Sequence, residues 1–333
     1  MSDTDPQMRA AIQRGGLFEE LTLDPLSNTG NNRVYRMETV GGTFLVKQYF
    51  QHPDDPRDRF AAERAFYSCL WAAGIRRIPG PVQWLVEERL GIFEFLPGEK
   101  PTAADASMVA QAIDFFREMN GARGTGLATA LPSASEACFS LAGHLECVGR
   151  RVMRLSGIAP ETEIDRKAVE FVSSKINPAW KRLESSIVAG VGAGALDSKL
   201  PQEARCISPS DFGFHNSMRQ SDGHLRFFDF EYAGWDDPAK TVCDFFCQPA
   251  VPVDRAHLGE FLGMVAQIFP ASGVEERVKS LLPLYQLKWC CIILNEFLSP
   301  SAARRRFSSG GVDQNERKAA QLARAEKLCA SIQ

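Results

Sequence analysis

The chain has 333 residues, 44% apolar and 24% charged, the make-up of a soluble globular protein long enough for one large domain or two lobes. Its formal net charge of −3 argues against a nucleic-acid partner, which needs a clustered basic excess. The longest apolar run, near Trp289–Leu294, falls far short of a bilayer's thickness, so no membrane insertion is expected.

The opening decapeptide, MSDTDPQMRA, is polar and acidic and predicts no signal peptide. From Phe18 to Phe95 the pattern is short and β-like. Val34–Thr39 and Thr43–Phe50 flank Gly41-Gly42, a hairpin signal, and the turn formers Ser27 to Asn32 precede them. Arg59–Ala73 reads as a helix, followed by a strand pair at Val82–Glu87 and Gly91–Phe95 that Leu96-Pro97-Gly98 closes. After that break the pattern turns helical: Thr102–Asn120, with Thr102 as N-cap, then Ser135–Leu155, Glu163–Val188, His257–Phe269, Val278–Phe297 and Asn315–Ile332. One β interlude, Ser217–Gln220 and Leu225–Phe230, surrounds Asp222-Gly223. Arg304-Arg305-Arg306 is the only basic run and reads as a solvated loop. Nine cysteines, an odd number without a leader sequence, read as reduced thiols and point to the cytoplasm. Cys243 and Cys247 stand one helical turn apart, but no second pair accompanies them at zinc spacing.

The segment SPSDFGFHNS, Ser208 to Ser217, contains an Asp-Phe-Gly tripeptide, the metal-binding signature of protein kinases. If Asp211 bound metal, a catalytic Asp with an Asn five positions later should lie upstream. The nearest upstream Asp is Asp197, and Gln202 stands where that Asn should be. Asp211 itself has Asn216 five residues on, and after a hairpin comes Asp229-Phe230-Glu231. Asp211 therefore opens the catalytic loop, and Asp229 is the metal acid.

In this form the segment resembles the aminoglycoside phosphotransferase and choline kinase family, relatives of protein kinases. Its loop usually reads His-Gly-Asp-x-x-x-x-Asn, followed by Asp-x-Glu, positions occupied here by Asp211, Asn216, Asp229 and Glu231. Asp237-Pro238 and Asp244 are similar to downstream residues of the family, Asp244 as a brace for the loop. Pro209 and Ser210 depart from the usual His and Gly. The resemblance spans roughly residues 20 to 250 and implies an α+β, two-lobed protein-kinase-like fold. Its small β-rich N-lobe would be residues 1–97 and bind nucleotide; its large, mostly helical C-lobe, residues 98–333, would hold the catalytic and acceptor sites. It further implies ATP or GTP and Mg²⁺ as cofactors and a small-molecule hydroxyl as acceptor. Lys47 would hold the phosphates with Glu63 orienting it, Gly30, Asn31 and Asn32 would cover them, and Glu94 and Leu96 would bond adenine. Asn216 and Asp229 would hold the metal, and Asp211 would orient the acceptor hydroxyl.

Each residue alone has a plainer reading: a solvated strand lysine, a surface acid paired with Arg59, a turn Asn. Five roles in the right order on the right elements outweigh it. Glu231, Tyr232, Trp235, Asn295 and Glu296 are candidates for the acceptor side, where buried aromatics and core-flanking polar residues are the default. His215 reads as a loop-packing or substrate-side residue. Gly190 to Ala195 fits a dinucleotide fingerprint, yet a long polar helix rather than a strand should precede it. Aminoglycosides, choline-like alcohols and sugars, including intermediates of glycan assembly, all fit as acceptors. The alternative is a nucleotide-binding pseudokinase, which Pro209-Ser210 favours.

Overall fold

Alternating apolar and polar residues between turn formers build the first part of the chain into a sheet. The computed structural model describes residues 6–26, 32–50, 57–192, 194–298 and 314–332. Strands β1 (Leu21–Leu26), β2 (Arg33–Thr39), β3 (Gly42–Gln48), β4 (Pro81–Leu85) and β5 (Leu90–Glu94) form one antiparallel sheet in the order β1-β2-β3-β5-β4. Lys47 lies in the central strand, opposite Val34 on one side and Gly91 on the other. Its neighbour Val46 points to the other face, where Tyr35, Met37 and Ile92 meet Met8, Ala11 and Ile12 of helix α1 (Pro6–Arg14) in a small apolar cluster. The alternation thus commits Lys47 to the face turned away from α1.

Helix α2 (Arg59–Ala72) covers that side. Asp58 caps it, accepting from the Ala61 N–H at 3.0 Å. Its Phe66, Tyr67 and Leu70 belong to the large core of the rest of the molecule rather than to the sheet's cluster. Beyond β5 the chain crosses at Gly98, whose φ of +137° suits glycine and whose missing Cβ would stand 2.2 Å from the Arg219 carbonyl oxygen. Glu99 and Arg219 then exchange backbone hydrogen bonds of 3.0 and 2.9 Å.

The remainder is mostly helical: α3 (Ala106–Gly121), α4 (Gly126–Thr129), α5 (Leu141–Arg154), α6 (Glu163–Phe171), α7 (Asn177–Ala189), α8 (Pro238–Cys247), α9 (Leu258–Ile268), α10 (Val274–Leu294) and α11 (Gln314–Ala330). Two short antiparallel pairs interrupt it, β6 (Cys206–Ser208) with β9 (Gly234–Asp236) and β7 (Ser217–Arg219) with β8 (Leu225–Phe227). Several boundaries differ from the periodicity. The cap of α3 is Asp105, not Thr102; its carboxylate accepts from the Met108 N–H at 2.8 Å. Helix α5 starts at Leu141 behind Ser140, and the stretch before it is irregular, with Glu136 at a left-handed φ of +60°. The expected helix from Glu163 to Val188 is interrupted by a wide π-turn, Val172–Ile176, just ahead of Pro178, whose ring nitrogen has no hydrogen to donate to the ladder. Helix α7 leads directly into Gly190, so no strand precedes the glycine-rich run. The second strand of the hairpin ends at Phe227, because Asp229 turns to a φ of +67°.

Candidate active site

Two phenylalanines anchor the loop between β6 and β7. Phe212 is 3% exposed, with ring centroids 5.0 Å from Phe245 and 5.5 Å from Phe227, and Phe214 is fully buried. Anchoring these rings in the core leaves Asp211, His215 and Asn216 half-buried on the outer side. Asp211 is gripped by its own loop. His215 Nε2 lies 3.2 Å from Oδ1, and Asn216 Nδ2 lies 3.2 Å from Oδ2 and 3.0 Å from the Asp211 carbonyl oxygen. Burial favours the protonated acid, but the bond and charge of His215, the Asn216 bond and the charge of Lys288 outweigh it, so the carboxyl titrates below the usual carboxylate range.

Ser210 occupies the position where the resemblance expects glycine, and its φ is +66°. A non-glycine residue in this region is strained by about 1–2 kcal/mol. Two contacts hold it: its N–H donates to Ser208 Oγ at 3.0 Å, and its hydroxyl donates to the Ser135 carbonyl at 3.3 Å. Asn120, which the sequence did not single out, braces the strand leading into the loop. From α3 its side chain accepts from the Ile207 N–H at 2.8 Å and donates to the Ile207 carbonyl at 3.1 Å. An Asn within an amphipathic helix carries no local sign of such a partner.

The second half of the site gathers around Lys47. Its Nζ lies 2.6 Å from Glu63 Oε2, 2.5 Å from Asp229 Oδ1 and 3.9 Å from Glu231 Oε2. Glu63 uses its other oxygen to accept from the Phe230 N–H at 2.9 Å, which ties α2 to the Asp229-Phe230-Glu231 turn. Phe230 is 1% exposed and its ring centroid is 4.8 Å from Phe66. With Phe230 rooted in the core, the acids on either side of it face the lysine. Burial disfavours the Lys47 ammonium, yet Asp229, Glu63 and Glu231 outweigh it and raise its pKa. Burial also raises the Glu63 carboxyl, with Asp229 and Glu231 adding repulsion against the pull of Lys47.

Arg59 brings a second cation to this group, its Nε 3.6 Å from Glu231 Oε1. Glu63 and Glu231 have side chains only 2% and 4% exposed, whereas Asp229 is 42% exposed. The open carboxylate is therefore Asp229. The β7–β8 register pairs Ser217 with Phe227, and the Phe228 N–H donates to the Asn216 carbonyl at 3.0 Å, so the hairpin brings Asn216 beside Asp229. Asn216 spends its Nδ2 on Asp211 and keeps its Oδ1 as an acceptor. One open carboxylate and one amide oxygen suit Mg²⁺, which takes one or two protein carboxylates and completes its shell with phosphates and water. Among the described residues no cluster of three or more His, Cys, Asp or Glu forms a complete metal cage.

The remaining candidates fall variously. Gly30, Asn31 and the basic run Arg304 to Arg306 lie outside the described residues. The side chain of Asn32 joins the sheet to the acidic turn instead of standing open: Nδ2 donates to Glu231, and Oδ1 accepts from the Phe50 N–H at 3.1 Å. Glu94 accepts from Arg226 Nη1 at 2.7 Å and from the Gly80 N–H at 3.0 Å. Among the described residues the Leu96 N–H meets no acceptor, although the residue is only 8% exposed. Tyr232 is half-buried, its hydroxyl 3.5 Å from Arg59 Nε. Trp235 is a core residue whose indole N–H donates to the Ala128 carbonyl at 2.9 Å. Glu231 is buried among Asn32, Arg59 and Lys47. Asn295 is half-buried at the end of α10, and Glu296 is buried 3.1 Å from Arg317 Nε of α11. Asp244 does not brace the loop. It binds Lys288 at 2.7 and 2.9 Å and the Trp289 indole N–H at 3.0 Å, because the face of α8 that carries it packs on α10.

A family model described as the Phosphotransferase enzyme family matches residues 22–267. The chain belongs to that phosphotransferase family. A comparison with curated protein sequences gives no match. Among solved structures the phosphotransferase is similar to the choline kinase LicA from Streptococcus pneumoniae, with 15% identity, a TM-score of 0.59 and coverage of 98% of this chain and 100% of that one. It is also similar to a spectinomycin phosphotransferase in complex with ADP and spectinomycin, with 10% identity, a TM-score of 0.61 and 95% and 98% coverage. A choline kinase from Cryptosporidium parvum Iowa II gives 14% identity, a TM-score of 0.54 and 97% and 95% coverage. At such identities the likeness establishes the fold. This phosphotransferase has the α+β, two-lobed, protein-kinase-like architecture that its sequence led us to expect.

Proposed function

We propose that this phosphotransferase transfers the γ-phosphate of ATP, or of GTP, to a hydroxyl group of a small molecule with Mg²⁺ as cofactor. The observation that carries the reading is Lys47 bonded at once to Glu63 at 2.6 Å and to Asp229 at 2.5 Å, joining the sheet, α2 and the turn after β8. Residues up to 97 contribute the nucleotide contacts, and those from 98 onward the catalytic and acceptor contacts.

Lys47 exchanges one of its carboxylate partners for phosphate oxygens, while Glu63 keeps it aimed. The unbonded Leu96 N–H and the Glu94 carbonyl serve the base. Asp229 and Asn216 Oδ1 hold the metal, which when bound neutralises charge on the phosphates. Asp211 accepts a hydrogen bond from the acceptor hydroxyl and takes its proton late. Because the transition state is loose, a carboxylate of low pKa suffices, and positioning carries most of the acceleration. Names of neighbouring structures, which state choline and spectinomycin, support a small acceptor over a protein. Free cysteines and the lack, among the described residues, of any helix fit to cross a membrane support a cytoplasmic setting. The pseudokinase reading loses ground to Ser210, whose hydroxyl anchors the loop where glycine was expected.

The test is a phosphoryl-acceptor screen over sugars, amino alcohols and aminoglycosides with ATP and with GTP, run beside Asp211→Asn and Asp229→Ala. We expect one acceptor class to be turned over, Asp211→Asn to lose transfer by about a thousandfold while binding nucleotide, and Asp229→Ala to lose Mg²⁺-dependent nucleotide binding. Full transfer by Asp211→Asn would defeat the assignment.

A further inference from the structure

The Asp211 carboxylate is held from both sides by residues of its own loop, and the two holds differ in kind. Asn216 bonds Oδ2 at 3.2 Å and the Asp211 carbonyl at 3.0 Å, so its amide defines the loop's closure. His215 Nε2 reaches only Oδ1, at 3.2 Å. Pro209, two residues before Asp211, has neither an N–H nor a polar side chain and offers the carboxylate no donor from upstream.

The His215 ring is set in a fitted slot. A Cβ on Gly213 would stand 2.8 Å from both its Nδ1 and its Cε1, and 3.2 Å from Gln248 Cγ. Gly213 has an extended backbone, φ 175°, that any residue can adopt, so glycine is needed there for room and not for conformation. Gln248 is itself immobilised: it donates to the Val251 carbonyl and accepts from the Ala250 and Val251 N–H groups at 2.9 and 3.2 Å. His215 Nδ1 is buried, and among the described residues it has no hydrogen-bond partner. A ring nitrogen lying against an acceptor-only carboxylate carries a proton, so Nε2 is the donor to Asp211 Oδ1.

We infer that His215 is a positioning residue for the transfer reaction: it donates from Nε2 to Asp211 Oδ1 and fixes the rotation of that carboxylate, so that a remaining lone pair faces the acceptor hydroxyl. The inference rests on the reading of Asp211 given above. A hydrogen bond to the ionised carboxylate weakens it as a base, so the gain lies in orientation. Gly213 belongs to the same device, because it clears the space in which the ring lies.

The test uses the full chain, Mg²⁺–ATP, and water as the acceptor, with phosphate release as the readout. His215→Ala should lower kcat by about 10- to 100-fold while the KM for Mg²⁺–ATP and the nucleotide-induced thermal shift stay at their wild-type values. His215→Gln, whose amide Nε2 can donate from nearly the same point, should recover most of that loss. Gly213→Ala, which displaces the ring, should resemble His215→Ala. The inference is overturned if His215→Ala turns over at the wild-type rate, if His215→Gln is as slow as His215→Ala, or if nucleotide affinity falls in step with kcat. Asp211→Asn separates the levels: release that survives in Asp211→Asn overturns the reading of Asp211 itself, whereas a dead Asp211→Asn beside a fully active His215→Ala overturns only the role of His215.

Discussion

Lys47 touches helix α2 and the acidic turn together, and its burial makes it expensive to remove. A methionine there would fill similar volume but leave Glu63 and Glu231, both under 5% exposed, without their nearest ammonium. Taking one partner from a buried ion pair costs about 3–5 kcal/mol. We therefore expect Lys47→Met to lose stability on that order in urea unfolding of the nucleotide-free protein; a loss below about 1 kcal/mol would mean the carboxylates stay neutral or solvated. At this scale much was legible. Lys47, Glu63, Asp211, Asn216 and Asp229 stand in the order and spacing that named them, and the hairpin and turn bring them into two connected groups. The bonding of Asn32 and Glu231 was not legible, because their partners lie 199 residues apart along the chain. Asn120 had no sign at all.

Helix α8 shows how an element escapes notice. The segment is only ten residues long and all ten are buried, the polar Lys240, Thr241 and Asp244 among them, so its polar side meets protein instead of water. Only Asp237-Pro238 marks its start, where the Asp237 side chain accepts from the Ala239 N–H at 2.8 Å. The same carboxylate meets His144 Nε2 at 2.9 Å and the Arg277 guanidinium. Burial pushes Asp237 up, but the His144 bond and charge and Arg277 outweigh it and hold it below the usual carboxylate range. A carboxyl with a depressed folded pKa contributes stability that is present above its unfolded value, about 4, and is lost as pH falls through the lower folded value. Asp237→Asn should thus be less stable than wild type near pH ~7, with the gap closing in acid, when unfolding midpoints are compared from pH ~3 to ~7. A constant gap across that range would show that the charge does not matter. The crossing between sheet and helices gives a second element-level expectation. Gly98→Ala would place a Cβ 2.2 Å from the Arg219 carbonyl oxygen at a φ of +137°, and should destabilise by about 2 kcal/mol in the same assay. No measurable change would mean that this crossing gives way easily.

Across the whole molecule, stacked and edge-on phenylalanines link the pieces of the site. Phe66 meets Phe230 at 4.8 Å, Phe115 stacks on Phe227 at 4.6 Å, and Phe245 lies 5.0 Å from Phe212 and 5.1 Å from Phe261. One apolar core thus runs from α2 through the hairpin to α8 and α9, and both clusters of site residues, around Asp211 and around Lys47, are rooted in it. If Mg²⁺–nucleotide bridges those clusters, ATP at a hundredfold excess over its Kd should stabilise the protein by about 2.7 kcal/mol, and EDTA should remove most of the effect. A thermal shift indifferent to EDTA would take the metal out of the nucleotide site. Period-two and period-3.6 patterns and turn residues are properties of neighbouring residues, so the sequence by itself determined a strand-rich first part and a helical remainder, and the D-x-x-x-x-N and Asp-x-Glu spacings carried the resemblance that named the family and its fold class. Tertiary structure decided the helix at α8, the left-handed Ser210 and Asp229, the inward turn of Trp235 and Glu296, and the partners of Asp244. Those depend on which distant surfaces pack together, and that information is spread over the whole chain.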